Sequence, residues 1–313
     1  MKKILSLAIA LMIALALPAF AEESYSIGIC QLVQHVALDD ATRGFKDALT
    51  AKLGDKVSFN EQNASGDSST CITIVNSFIS EDVDLILANA TPALQAAQAG
   101  TGEIPILGTS VTDYASALGI DPWTGVTGYN ISGTSDLAPL DGQAQLLNEL
   151  FPDAKNVGLL YCTAEANSIY QVEKVEAYLT EMGYSCTMYG FTDSNDVSSV
   201  VQNACANSDV LYAPTDNTMA SCTEAIRNVV VVEKKAIVGG DEGICSGCGV
   251  ATICINYYDL GYATGEMAYE ILVNGANIAE MPVQFSPNPL KKYNPELCEY
   301  LGVAIPEGYE AIG

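Results

Sequence analysis

The chain has 313 residues, about twice the length of a typical domain of ~150 residues. Hydrophobic residues make up 49% and charged residues 16%, a core-forming composition that excludes a disordered or collagen-like chain. With 38 acidic and 13 basic residues, the formal net charge is -25, which excludes binding of nucleic acid or anionic lipid through bulk charge. The single histidine, His35, excludes zinc sites that need two histidines.

The N-terminal segment predicts a secretory signal peptide at residues 1–21. Two lysines precede an apolar run from Ile4 to Leu17, which is shorter than the ~20 residues that span a bilayer as a helix. A proline ends the run, and Ala19-Phe20-Ala21 follows with the spacing of a cleavage site. We expect cleavage after Ala21 and export to the periplasm or the outer face of the membrane; an uncleaved anchor is the alternative. No lipid-attachment motif is found, since the first cysteine is Cys30 within a predicted strand.

Beyond that segment, the first half of the chain alternates strands and helices. Strands are predicted at 26–30, 57–59, 85–88, 104–107 and 125–128, and helices at 38–53, 68–80 and 92–99. Continuous apolar runs joined by helices indicate a parallel sheet covered on both faces.

The same alternation then repeats. Helices are predicted at 140–150, 167–182, 197–206 and 218–233, and strands at 157–161, 185–190, 210–213, 236–238 and 249–255. A helix at 260–274, a strand at 281–285 and a short helix at 295–301 complete the chain. The two series predict an α/β protein with two Rossmann-like lobes and parallel sheets, joined by a hinge that the chain crosses several times, because the helix at 260–274 returns to the first lobe. The predicted lobes are 25–131 plus 257–280, and 132–256 plus 281–313.

Ten cysteines are present, and two of them form the motif Cys245-Ser-Gly-Cys248. Gly247 and Gly249 flank Cys248, which predicts a turn. A zinc site would need a fourth ligand at matching spacing, and a redox motif would open a helix. We therefore expect structural thiols or bridges, whose pairing cannot be deduced from sequence.

Ligands of open parallel sheets bind at the carboxyl ends of the strands. In this chain, hydroxyl groups and helix N-termini follow the strands of the first lobe, whereas carboxylates follow those of the second. This asymmetry suits a zwitterion: a carboxylate fits the helix opened by Thr91-Pro92, and an ammonium group fits Asp216, with Asp241 as the competing partner. The alternative is that Thr91 and Asn217 or Thr218 are ordinary helix caps, and that Asp216 is solvated or only supports the start of its helix.

Catalysis has little support in the sequence. The nucleophile elbow, the Walker motif and a strand-linked dinucleotide-binding motif are all missing. Asp39-Asp40 and Asp241-Glu242 are neighbours in sequence and need not face each other as a glycosidase pair does. We expect His35 to be a surface or ligand-contacting group, and we expect no enzyme, cofactor or metal.

Seven segments together resemble one family. They are Ile-Gly-Ile-Cys-Gln at 27–31, Ala-Thr-Pro-Ala at 90–93, Val-Thr-Asp at 111–113, Gly-Thr-Ser-Asp at 133–136, Ala-Glu-Ala-Asn-Ser at 164–168, Pro-Thr-Asp-Asn-Thr at 214–218 and Tyr-Tyr-Asp-Leu-Gly at 257–261. In this order they resemble the ABC-transporter substrate-binding proteins of the tryptophan/tyrosine-binding type. The resemblance implies a type I periplasmic-binding fold, three interlobe crossings and an amino-acid-like ligand, with aromatic amino acids expected.

The resemblance also implies which residues line the cleft. They are Thr91, Thr109, Ser110 and Thr112 on the first lobe, and Ser135, Glu165, Asn167, Asp216, Asn217 and Asp241 on the second. Gln34 and Tyr257, which follow predicted strands, complete the predicted site. The expected function is a monomeric solute-binding protein that serves a membrane permease and its ATPase. An exported receptor for a membrane sensor kinase and an exported hydrolase are the alternatives.

Overall fold

Two sheets, each with helices on both faces, form the two halves of the molecule. The computed structural model describes residues 24–286 and 288–312, so the predicted signal peptide lies outside the described residues. None of the helices within these two ranges is long and apolar enough to cross a membrane.

The first sheet has six parallel strands in the order β11-β5-β4-β3-β1-β2. The strands are β1 Tyr25–Gln31, β2 Val57–Asn63, β3 Leu85–Asn89, β4 Ile106–Val111, β5 Ile131–Ser135 and β11 Gln284–Phe285. The helices of this half are α1 Val36–Leu53, α2 Ser68–Ser80, α3 Thr91–Gly100, α4 Tyr114–Leu118 and α11 Tyr257–Leu272, with a short 3₁₀ turn at Gly54–Lys56 and another at Ile278–Glu280.

The second sheet has seven strands in the order β13-β12-β10-β9-β8-β6-β7. The strands are β6 Asn156–Cys162, β7 Ser185–Phe191, β8 Val210–Ala213, β9 Ile237–Gly239, β10 Ala251–Cys254, β12 Leu290–Tyr293 and β13 Glu310–Ala311. The helices are α5 Leu140–Leu150, α6 Ala166–Glu181, α7 Val197–Asn207, α8 Asn217–Ser221, α9 Thr223–Glu233, α10 Glu242–Cys248 and α12 Pro295–Leu301. All pairs are parallel except β10 with β12.

Helix α11 returns to the first sheet after the chain has built most of the second. It packs against α1 at very short range, because two glycines remove the side chains at the contact. A Cβ at Gly261 would overlap the carbonyl oxygen of Ala41, and a Cβ at Gly44 would overlap that of Tyr258. The apolar face of α11 is therefore buried against the first domain, to which the sequence analysis predicts that this helix returns.

The chain passes between the sheets three times. The passages lie between β5 and α5, between β10 and α11, and between β11 and β12. The strand membership shifts two of the predicted boundaries. Ile131–Ser135 belongs entirely to the first sheet, and Gln284–Phe285 pairs with it, so residues 132–135 and 284–285 lie with the first half rather than the second.

Three local predictions differ from the structure. The segment 125–128 is not a strand, because Gly125 and Gly128 have positive φ angles of 89° and 74° that interrupt an extended chain; the strand forms six residues later. Cys245-Ser-Gly-Cys248 is not a turn but the end of helix α10. Strand β12 lies in the segment after residue 285, where the sequence predicts only a short helix. It is the antiparallel member of the second sheet.

Candidate functional site

Residues that follow strands of the first sheet contact residues that follow strands of the second. His35, after β1, lies 3.3 Å through Nε2 from Oδ1 of Asn217, after β8. Helix α4 contacts α6, and α1 contacts α10, so the two domains meet on both sides of the strand ends. The candidate site is the set of polar side chains enclosed between these contacts.

On the first domain, the buried side-chain hydroxyls of Thr91 and Ser110 lack hydrogen-bond partners. They are 2% and 5% exposed, yet neither hydroxyl oxygen has a hydrogen-bond partner in the structure. A buried hydroxyl group without a partner costs free energy, so such groups commonly mark a ligand. The backbone also points to a ligand contact at Thr91 and Ser110. Ala90 and Ser110 have φ angles of 98° and 55°, in a region that costs energy for residues other than glycine.

The other predicted hydroxyls that lie on the first domain have internal partners. Ser135 is one of them: its predicted place on the second lobe is wrong, because β5 belongs to the first sheet. Thr109 shares a hydrogen bond with Thr134, which is bonded in turn to Thr264 on the returning helix. Thr112 donates to Asp136 at 2.9 Å, and Ser135 donates to the backbone of Thr112 at 2.8 Å. These hydroxyls stabilise the first domain's side of the site, and they are not free to bind a ligand.

Gln34 is not brought together with the rest of the predicted site. Its side chain is exposed and lines a separate, open cavity of about 520 Å³ beside Arg43, Lys46 and Glu61.

On the second domain, Glu165 is the centre of a polar network. Its Oε2 accepts hydrogen bonds from the side-chain amides of Asn217 at 2.6 Å and Asn167 at 3.1 Å, and its Oε1 accepts from the backbone and hydroxyl of Thr218. One polar atom of the network is unsatisfied: the Asn167 side-chain oxygen is buried and has no hydrogen-bond partner. Asn167 thus adds a third unpartnered polar group to those of Thr91 and Ser110.

Asp216 is fully buried and its carboxylate is well occupied. Oδ2 accepts from the Cys162 backbone at 2.7 Å and the Ser168 hydroxyl at 2.8 Å, while Oδ1 caps helix α8 through the Met219 backbone at 2.8 Å. Burial, with the charge of Glu165 second, raises the pKa of Asp216 to about 8. Three donors leave this carboxylate little capacity for a ligand.

Asp241 is buried with fewer partners. It caps helix α10 by accepting from the Ile244 backbone at 2.8 Å, and burial raises its pKa to about 7. The charges of Asp136 and Glu242 raise the pKa of Asp241 further. A cationic ligand group would relieve this repulsion.

Asp136 is a buried site residue that sequence reasoning missed. It directly follows β5 and accepts hydrogen bonds from Thr112 and, at 2.9 Å, from the hydroxyl of Tyr257. Burial raises the pKa of its carboxyl group. The signal is the motif Gly-Thr-Ser-Asp at 133–136, from which the family resemblance implies only Ser135 as a site residue.

Two cavities flank this cluster. One, of about 180 Å³, is lined on the first domain by Leu32, Val33 and Pro92 and on the second by Glu165, Asn217 and Thr218. The other, of about 490 Å³, is lined by residues that include His35, Ile255 and Tyr257. Within residues 24–286 and 288–312, no group of histidine, cysteine and acidic side chains has the arrangement of a metal site.

Comparison with known proteins agrees with this architecture. The family described as "ABC transporter substrate binding protein" matches residues 26–311. The chain belongs to this family. A "Tyrosine-binding protein" of Clostridioides difficile (strain R20291) is 38% identical over 261 residues, which cover 82% of this chain and 75% of that protein. The protein is thus a substrate-binding protein of an ABC transporter.

Two solved structures of similar proteins show the fold of this substrate-binding protein. An ABC domain from Streptococcus pneumoniae in complex with L-Trp has a TM-score of 0.87 and 30% identity, covering 92% of this chain and 100% of that one. A ligand-free, open substrate-binding protein with adhesive properties from Clostridium difficile has a TM-score of 0.69 and 36% identity, with the same coverage. The predicted two-domain α/β fold of type I periplasmic binding proteins is confirmed.

Proposed function

We propose that this substrate-binding protein binds, between its two domains, a free amino acid that has an aromatic side chain. One observation carries the proposal: the first domain has buried hydroxyls without partners near its strand ends, the second has buried carboxylates near its own, and the two sets of strand ends meet at His35 and Asn217. A zwitterion requires this arrangement, because its carboxylate needs hydrogen-bond donors and its ammonium group needs a carboxylate. The similar proteins named for tyrosine and solved with L-Trp support an aromatic side chain.

The amino acid's carboxylate binds at the start of helix α3. Thr91 opens that helix, where backbone N–H groups without intrahelical partners and the helix dipole favour an anion. The unpartnered Thr91 hydroxyl stands at this helix start, and that of Ser110 lies near the carboxyl end of β4, the next strand of the sheet. Both can donate to a carboxylate oxygen, which would satisfy them.

The ammonium group pairs with Asp241 in this proposal. Asp241 accepts hydrogen bonds from the backbones of Ile244 and Gly243 only, and the negative charges of Asp136 and Glu242 act on it. The assignment to Asp216 stays a prediction from sequence, and its three internal donors argue for a structural role. The unpartnered oxygen of Asn167 offers the ammonium group a further acceptor.

We further propose that the protein is exported by the segment 1–21, cleaved after Ala21, and acts as a monomer with a membrane permease and its ATPase. It performs no chemistry on its ligand. The family supports an extracytoplasmic location and an ABC transporter. Mass spectrometry of the secreted protein measures the mature N-terminus.

Calorimetric titration of the refolded, ligand-free protein tests the ligand class. Tyrosine, tryptophan and phenylalanine should bind, whereas tyramine and N-acetyltyrosine, which lack one charge each, should bind at least tenfold more weakly. Binding of a sugar or a purine with no response to any amino acid would overturn the proposal.

Two substitutions separate the carboxylates. Removing one partner of a desolvated charge pair costs ~2–5 kcal/mol, so Asp241→Asn should weaken amino-acid binding roughly thirtyfold or more. Asn can still cap helix α10, which preserves the local fold. Asp216→Asn is the matched variant, and loss of affinity there with wild-type affinity in Asp241→Asn would move the ammonium contact to Asp216.

A further inference from the structure

The ten cysteines, all within the described residues, differ in what their thiols contact. Several donate to oxygen: Cys222 to the carbonyl of Thr218 at 3.0 Å, and Cys298 to that of Val250 at 3.2 Å. Cys248 of the C-x-x-C motif also donates within its own helix. These thiols are accounted for as core groups with oxygen partners.

Cys30 and Cys71 instead contact each other. Their side chains share a hydrogen bond, both are fully buried, and both lie in one apolar cluster between the first sheet and helices α2 and α3. Cys30 is in β1 and Cys71 is in the first turn of α2, which packs on that strand. Two thiols in contact on rigid elements are placed for a covalent bond.

We propose that Cys30 and Cys71 form a disulfide bond in the mature protein. The bond would tie the carboxyl end of β1 to the start of α2, across 41 positions of the chain. It goes beyond amino-acid binding, and in the cell it rests on the proposed export to an oxidising compartment.

The bond forms by thiol–disulfide exchange with an oxidant disulfide. The thiolate is the reactive form, and either cysteine can supply it before the two elements dock. Its sulfur attacks a sulfur of the oxidant disulfide and releases one thiolate of the oxidant.

The sulfur of the other cysteine then loses its proton and displaces the second thiol of the oxidant from the mixed disulfide. In balance, two protein thiols are oxidised to one disulfide, and one oxidant disulfide is reduced to two thiols. Both sulfurs are inaccessible in the folded protein, so the exchange must precede the docking of α2 on β1. The bond therefore forms during folding.

The bond would also fix part of the interdomain cavity. Leu32 and Val33, just after β1, line the cavity of about 180 Å³ together with Ser65, Gly66 and Ser68, just before and at the start of α2. The disulfide would join the two elements that carry these walls. It would act together with the backbone hydrogen bonds that already join these walls, from Ala64 to the carbonyl of Gln31 at 2.9 Å and from Gly66 to that of Leu32 at 2.8 Å.

The sequence makes the pairing easy to assign. Trypsin cuts after Arg43, Lys56 and Lys155, so the peptide ending at Arg43 carries Cys30 alone, and the peptide 57–155 carries Cys71 alone. The protein is refolded from denaturant in a mixture of oxidised and reduced glutathione, alkylated and digested without reductant. The two peptides should appear as one species, lighter by two hydrogens than their sum, which dithiothreitol separates.

Thermal unfolding provides a second readout. Closing a loop of this length should raise Tm by roughly 5–10 °C, a gain that dithiothreitol during refolding abolishes. Cys71→Ala should remove this sensitivity to reductant. Cys205→Ala, a matched variant at another buried helix cysteine, should retain it.

Alkylation of Cys30 or Cys71 in denaturant without reductant, after refolding in the glutathione mixture, would overturn the proposal. So would a link from either residue to another cysteine. Because the oxidant is supplied in the refolding buffer, these outcomes are independent of whether the protein is exported or binds an amino acid.

Discussion

Thr91 and Thr109 are residues of the same type, both buried on the first domain, with opposite surroundings. The Thr91 hydroxyl has no partner, whereas the Thr109 hydroxyl is bonded to Thr134. Removing a hydroxyl therefore has a different expected consequence at each position.

Thr91→Val should weaken amino-acid binding by at least tenfold and leave the free energy of unfolding unchanged or slightly higher, because the variant removes an unsatisfied buried group. Thr109→Val should lower the free energy of unfolding by ~1–2 kcal/mol with a smaller effect on affinity. Denaturant unfolding and calorimetric titration of both variants measure the two effects. Equal losses of affinity at the two positions would contradict the assignment of Thr91 as a ligand contact.

Asp241 makes stability depend on pH in a direction set by its burial. Its pKa is raised to about 7 in the native protein, so between about pH 4 and 7 the native state binds more protons than the unfolded state. The contribution of Asp241 to the stability of the ligand-free protein should therefore fall as the pH rises through this range. The loss is at most a few kcal/mol at ~1.4 kcal/mol per pKa unit.

Asp241→Asn cannot titrate, so its free energy of unfolding relative to wild type should rise between pH 4 and 7. Asp209→Asn is a control of opposite sign, because backbone hydrogen bonds from Asn156 and Lys155 lower the pKa of Asp209. That substitution should cost more as the pH rises through the ordinary range of a carboxyl group. Parallel pH profiles for wild type and Asp241→Asn would contradict the raised pKa.

At the scale of elements, the contact between helices α1 and α11 depends on glycine. Gly261→Ala would press a methyl group against the carbonyl oxygen of Ala41, and neither backbone can move without disturbing its helix. We expect a loss of ~1–3 kcal/mol in the free energy of unfolding.

Gly142→Ala is the matched helix substitution. The nearest atoms to its new methyl group, on Ile253 and Pro139, lie at 3.4 Å, so the better helix propensity of alanine should stabilise by ~0.5–1 kcal/mol. Urea unfolding of both variants measures the contrast. A stabilised Gly261→Ala variant would show that the two helices pack more loosely than the structure has them.

The elements could be predicted from sequence where the pattern is local. The apolar periodicity of 38–53 and 260–274 identifies both helices, and the caps at Asp67 and Thr91-Pro92 place two helix starts within a residue. The strand at 131–135 was missed because its register depends on β4 and β11, the second of which comes about 150 residues later.

The site shows the same limit. The rule that ligands bind at strand ends selects Thr91, Thr109 and Ser110 alike. Only the fold shows that the Thr109 hydroxyl is engaged, through a chain of bonds that ends at Thr264 on the returning helix. A sequence pattern can therefore nominate site residues, but their free hydrogen-bonding capacity is a property of tertiary contacts.

At the scale of the whole molecule, the arrangement of the domains is more similar to that of a ligand complex than to that of a ligand-free, open relative. The TM-score is 0.87 with the L-Trp complex at 30% identity and 0.69 with the ligand-free, open protein at 36% identity. The more similar sequence thus has the less similar shape. Since three passages of chain join the domains, a rotation about them accounts for such a difference.

We therefore expect the ligand-free protein to open in solution and to close on its amino acid. In the closed arrangement Asp241 is buried under the negative charges of Asp136 and Glu242, a cost that the ligand's ammonium group offsets. Small-angle scattering should give a smaller radius of gyration with saturating tyrosine or tryptophan than without it. Asp241→Asn, which removes one of these charges, should shift the ligand-free protein toward the closed form even though it binds more weakly. An unchanged radius of gyration at saturation, in a protein that titrates normally, would mean that the domains are fixed.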